Sequence, residues 1–105
     1  MILPKDRSVY ANLSTSFTWF SELLVDQQER GLSGFIRLSF PGYHGVLFLV
    51  AGKLINALEE RGDGRLVGDA AAAAISHKAA EKGGRVDVDE ASGEAVALVA
   101  RVLDA

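Results

Sequence analysis

"GVLFLVAGKLINALEE", Gly45 to Glu60, decides the fold. It is apolar from Gly45 to Ala51, reaches Gly52, and resumes as Leu54-Ile55-Asn56-Ala57-Leu58. Val46–Val50 is apolar on both faces, which predicts a central strand covered on both sides. Ala51-Gly52 is too short for a crossover, so the two segments pair as an antiparallel hairpin. Just upstream, Gly34–Phe40 alternates: Ile36, Leu38 and Phe40 share one face, Arg37 and Ser39 the other. That is a half-buried strand, joined to the next by the turn Pro41–Gly45. The three strands make a meander.

The flanks add helices. Phe17, Phe20 and Leu24 recur at helical spacing behind the candidate caps Ser14, Thr15, Ser16 and Thr18, and Gly31 is a natural stop. A helix is expected from about Phe17 to Gln28, with Phe17 and Phe20 facing the core. Ser8–Leu13 reads as a short strand. Downstream, Gly62-Asp63-Gly64 reads as a loop, and Leu66 to about Lys82, with the alanine run Ala70–Ala74, as a helix stopped by Gly83-Gly84. Its small side chains would let it approach the sheet closely. Arg85–Asp89 alternates and would add an edge strand. A last helix opens at Ser92 or Gly93, with stripes Val96/Val99/Leu103 and Ala95/Leu98/Val102. One side would pack on the core and the rest on another chain. The expected fold is α+β: an antiparallel sheet of three to five strands with a meander core, against two to three helices. The 105 residues are expected to form one domain, whole or as a module of a longer protein.

Composition narrows the function classes. Hydrophobic residues make up 49% and charged residues 24%, an ordinary globular balance. A net charge of −3 with scattered Lys and Arg predicts no nucleic-acid partner. There is no cysteine, hence no disulfide or thiolate metal site, which fits a reducing cytoplasm. The N-terminal segment lacks the basic-then-apolar pattern of a signal peptide. The apolar runs fall short of the about 20 residues of a membrane span. A cytoplasmic protein with no membrane partner is expected.

Catalytic signals are thin. Gly62-Asp63-Gly64-Arg65-Leu66-Val67-Gly68 misses the GxGxxG spacing by one and follows a meander strand rather than a βαβ unit. Asp87, Asp89, Glu90 and Glu94 match no EF-hand pattern and read as a solvated edge face. His44 and His77 sit on separate elements, and Ser33 lies outside a GxSxG setting. No catalytic residue, cofactor or metal ligand is assigned, and the chain is expected not to be an enzyme. The aromatics carry more. Trp19 cannot share the direction of Phe17 and Phe20 fully, so it either caps the core edge or stands out as an interface anchor. Tyr43, at the hairpin tip, has the same two readings.

The order of these features resembles the PATAN family of small bacterial regulatory domains. "FTWFSELL" leads into "GLSGFIRLSFPGYHGVLFLVAGKLINALEERGDGRLVGDAAAAAI", with Gly34, Gly45, Gly52, Ile55, Ala57, Gly68 and Ala70 on the family's landmarks. Ala51 stands where that family has Asp or Asn, and Asn56 where many members carry histidine. The resemblance implies an α+β fold and a non-enzymatic interaction role in two-component signalling or gliding motility. The expectation is a protein-interaction module, forming a homodimer and binding another protein through Trp19, Tyr43, Leu98 and Val102. The alternative is a small-ligand sensor with a nucleotide or metabolite near Gly62–Gly68.

Overall fold

The structure, a computed structural model, describes residues 3–104; Met1, Ile2 and Ala105 lie outside the described residues. Its elements are β1 (Arg7–Ser14), α1 (Phe20–Glu29), β2 (Gly34–Phe40), β3 (Tyr43–Val50), β4 (Lys53–Arg61), β5 (Gly64–Val67), α2 (Asp69–Lys78), β6 (Arg85–Glu90) and α3 (Gly93–Asp104). The fold is α+β. Among the described residues, six strands form one open antiparallel sheet in the order β1-β6-β2-β3-β4-β5, with three helices.

The meander β2-β3-β4 has the pairing read from the hairpin signals: Ile36 opposes Leu47, and Val46 opposes Leu58. Helices cover both faces. On the first face, Phe20 of α1, Ala71 and Ile75 of α2 and Ala79 at the α2 C-cap pack on Ile36, Leu38, Leu47, Leu49, Val86 and Val88. On the second, Val96, Ala100 and Leu103 of α3 pack on Phe35, Val46, Phe48 and Leu58. Hence β3 is apolar on both sides: each side chain of Val46–Leu49 meets a helix layer. α2 does come close to the sheet, since a Cβ added to Gly45 would lie 2.7 Å from Ile75 Cγ1.

The sheet is larger than the expected three to five strands. β5 was read as loop and helix; Gly64–Val67 instead pairs with Leu58–Arg61 as an edge strand. α2 accordingly begins at Asp69 and ends at Lys78, not Leu66 to Lys82. β6 is not an edge but lies between β1 and β2, because the β5–α2–β6 connection carries the chain back across the sheet. β1 is the edge there, with bulges around Tyr10. α1 starts three residues later than expected, with Trp19 at its N-cap and no side-chain cap from the serines and threonines before it. Phe17 is therefore in the turn after β1 and is 89% exposed rather than in the core.

The Ala51-Gly52 turn takes the left-handed conformation at both residues, φ +48° and +81°. This is what a type I′ hairpin requires. The segment between α1 and β2 holds it: Ala51 N–H donates to the Ser33 hydroxyl Oγ at 2.9 Å and Gly52 N–H to the Leu32 carbonyl at 2.9 Å. A Cβ on Gly52 would collide with the Gln28 carbonyl oxygen, so the turn is seated on the α1–β2 connection.

Candidate functional site

Two places combine exposed recognition chemistry with a concave surface. The first is a cleft of about 390 Å³ between the start of α1 and the end of α2. Its walls are Trp19, Phe20, Ala79 and Ala80, with the hydroxyls of Thr15, Ser16, Thr18, Ser21 and Ser76, and Lys82 at its edge. Trp19 is 72% exposed, and Phe17 stands between the lining residues Ser16 and Thr18. The turn after β1 puts both aromatics in water: Phe17 N–H bonds back to the Ser14 carbonyl at 3.1 Å, and Trp19 is extended at the helix N-cap. Burying such a side chain is worth about 1.5–3 kcal/mol, so folding leaves that gain unrealised here.

The second place is the part of the second sheet face that α3 leaves open. Strand register aligns Arg85, Ser39, His44, Glu60 and Arg65 in one row across β6, β2, β3, β4 and β5. Ser39, His44 and Glu60 line a cavity of about 200 Å³ with Arg37 and Leu3. No hydrogen bond links Ser39, His44 and Glu60 to one another among the described residues. Beside the row, Arg37 Nε donates to Asp89 Oδ2 at 2.7 Å; Lys5 Nζ lies 3.6 Å from the buried Oδ1, which has no hydrogen-bond partner.

The interface residues expected from sequence separate. Trp19 is at the first cleft. Leu98 and Val102 are exposed, at 55% and 63%, one turn apart on the outer side of α3. Tyr43 is buried within the chain rather than at an exposed hairpin tip, with only 3% exposed. It lies under α2, where its hydroxyl donates to Glu59 Oε2 at 2.6 Å. Arg61 Nη2 donates to the same oxygen at 3.0 Å, and Lys78 Nζ stands 5.4 Å from the Tyr43 ring centroid. Burial pushes the Tyr43 phenol up, and the hydrogen bond to Glu59 adds to it. The Glu59 carboxylate also holds the Arg61 guanidinium above its ordinary value.

The acidic set is dispersed into separate contacts. Asp87 Oδ1 accepts the Asn12 N–H at 3.0 Å, Asp89 holds Arg37, and Glu90 pairs with Arg7 at 3.2 Å. Among the described residues no three His, Asp or Glu side chains converge as metal ligands do. The Gly62–Gly68 segment builds the β4–β5 hairpin and the α2 entry rather than a phosphate cradle: Gly68 N–H goes to Asn56 Oδ1 at 3.1 Å and the Ala57 carbonyl at 3.0 Å. Phe17 was missed as a surface group because its spacing to Phe20 fits a helix face. The row through Ser39, His44 and Glu60 was also missed; the alternation of β2 carried part of its signal.

Sheet and clefts define a small α+β protein with helices on both sheet faces and unpaired aromatics at one end. The chain belongs to DUF2226, described as an uncharacterized protein conserved in archaea; that family's model matches residues 1–103. This corrects the PATAN resemblance. The shared landmarks Gly34, Gly45, Gly52 and Gly68 sit at a close approach of two strands, a close helix approach, a tight turn and a helix entry, which unrelated antiparallel sheets need equally. The bacterial setting, signalling and motility that came with it lose their support, since the family is archaeal. No curated protein and no solved structure matches the chain. Among the described residues no helix is long and apolar enough to cross a membrane.

Proposed function

We propose that the chain is a non-enzymatic protein-interaction module acting in the cytoplasm. The observation that carries this reading is a pair of exposed aromatics, Trp19 in the wall of the α1–α2 cleft and Phe17 two residues before it. Aromatic anchors beside a cleft are enriched where proteins dock, and exposed apolar patches on soluble proteins mark such places. The apolar stripe Leu98/Val102 on α3 supplies a second surface, which we assign to self-association into a homodimer. Affinity purification of the tagged chain from its native cells tests the first surface. A partner recovered with the wild type should be lost with Phe17→Ser/Trp19→Ser, while circular dichroism stays unchanged. A partner retained by that variant would sink the reading.

The alternative is small-ligand sensing. It moves from Gly62–Gly68 to the cavity beside Ser39, His44, Glu60 and Arg37, which offers donors, an acceptor and the apolar wall of Leu3. A thermal-shift screen with nucleotides and small carboxylates tests it. Equal melting temperatures across the panel would remove it.

A further inference from the structure

The described lining of the α1–α2 cleft carries one charged side chain. Lys82 is the only ionisable side chain among its lining residues. The carboxylates of α1, Glu22, Asp26 and Glu29, line a separate groove on the outer side of the helix with Ser21 and Val25. Glu81, beside Lys82 in sequence, is engaged at 3.0 Å by Lys78 Nζ. The cleft thus offers an apolar and aromatic wall, a ring of hydroxyls, and a cation without an ion-pair partner among the described residues. Its volume of about 390 Å³ lies at the small end of ligand clefts, which run from about 300 to 1,000 Å³. It fits a few side chains rather than a folded domain.

We infer that this cleft takes an acidic peptide segment of a partner protein, with an aliphatic or aromatic side chain against Trp19, Phe20, Ala79 and Ala80 and a neighbouring Asp or Glu on Lys82. The inference rests on the protein-interaction reading and adds the chemistry of the partner. The apolar contact supplies affinity, and the charge selects among apolar segments by disfavouring those that place a cation on Lys82. The hydroxyls of Thr18 and Ser76 can hydrogen-bond the peptide backbone in either direction, because each both donates and accepts.

Selection of a random-peptide display library on the full chain tests this, with Phe17→Ser/Trp19→Ser as the counter-target. Enriched sequences should join Asp or Glu to Leu, Ile, Phe or Trp. A synthetic peptide of the enriched sequence should blue-shift the emission of Trp19, the chain's single tryptophan. Lys82→Glu should weaken that peptide about tenfold and strengthen its Lys-for-acid counterpart; Lys82→Gln should fall between. Enrichment of neutral or basic sequences, or an unchanged affinity with Lys82→Glu, overturns the acidic preference. If those sequences still need Phe17 and Trp19, the interaction reading stands; if binding ignores both aromatics, it falls as well. Absence of enrichment over the counter-target overturns the inference. So does a Trp19 shift produced by equimolar phosphatidylglycerol–phosphatidylcholine vesicles alone, or by raising protein concentration alone. Those results would assign the patch to a membrane surface or a second copy.

Discussion

Ala51 carries the clearest backbone strain in the chain. At φ +48° its Cβ crowds the neighbouring carbonyl, at a cost of about 1–2 kcal/mol. Asn tolerates this conformation because its short polar side chain bonds locally. Ala51→Asn should therefore stabilise the fold by about 0.5–1 kcal/mol, read as a higher urea midpoint at unchanged slope. Asn56 is the opposite case. It is buried and fully used: Nδ2 donates to the Ala100 carbonyl at 3.0 Å and Asp104 Oδ1 at 3.2 Å, while Oδ1 accepts from Ala57 and Gly68 N–H groups. One amide thus joins β4, the entry to α2 and the end of α3. Asn56→Ala would remove this partner from the buried Ala57 N–H and Ala100 carbonyl, at about 2–3 kcal/mol. A midpoint shift under about 0.5 kcal/mol would show that water replaces those bonds. Tyr43 gives a pH signature. Its phenol is pushed up in the fold by burial first and by the Glu59 contact second, so folding favours the protonated form. That contribution is whole below the unfolded pKa near 10 and is lost as pH climbs through the higher folded value. Melting temperature should fall above about pH 10 in the wild type and less steeply in Tyr43→Phe.

Among the elements, the contact between α2 and β3 is the tightest. Gly45 faces Ile75 with no room for a Cβ, since the added carbon would stand 2.7 Å from Cγ1 and 3.1 Å from Cδ1. Gly45→Ala should cost about 1–3 kcal/mol by overpacking. Ile75→Ala alone should cost about 2–4 kcal/mol by cavity formation. The double variant should recover part of the sum, because one change vacates what the other fills; strict additivity in a double-mutant cycle would refute direct packing. The same elements show what was legible in the sequence. β2, β3 and β4 announce themselves because period and turn length act locally: alternation in Gly34–Phe40, a double-sided apolar run in Val46–Val50, and two residues between strands. β5 does not. It has four residues, all exposed, and its stability comes from backbone pairing with β4, which no apolar pattern records. β6 shows its alternation, but its place between β1 and β2 depends on pairings across the chain, such as Ile36 with Val88. At the site, Trp19 was legible as an aromatic out of phase with its helix. Tyr43 was not legible as buried, because its partner Glu59 lies sixteen residues downstream.

For the molecule as a whole, the distribution of apolar surface sets how tight the proposed self-association can be. Helices cover both sheet faces, apart from the row through Ser39, His44 and Glu60 beside α3, and their inner sides pack into the two cores. What α3 leaves outside is narrow: Leu98 and Val102, one turn apart on a helix of twelve residues. Such a helix is about 18 Å long. Two of them crossing about a twofold axis bury far less than the about 800 Å² per partner typical of a stable interface. The β5 edge exposes Leu66 and Val67 and unpaired backbone on one side, but it is only four residues long. Association through α3 should therefore be concentration-dependent, with a dissociation constant in the micromolar range or weaker. Light scattering across a dilution series should show mass rising from one chain toward two, and Leu98→Glu/Val102→Glu should hold it at one chain with an unchanged melting temperature. Phe17→Ser/Trp19→Ser should leave the dilution curve where it was, because that patch lies at the α1–α2 end on the opposite sheet face. A curve that moves with the aromatic pair and ignores α3 would exchange the roles of the two surfaces, making the cleft the self-association site and freeing α3 for the partner.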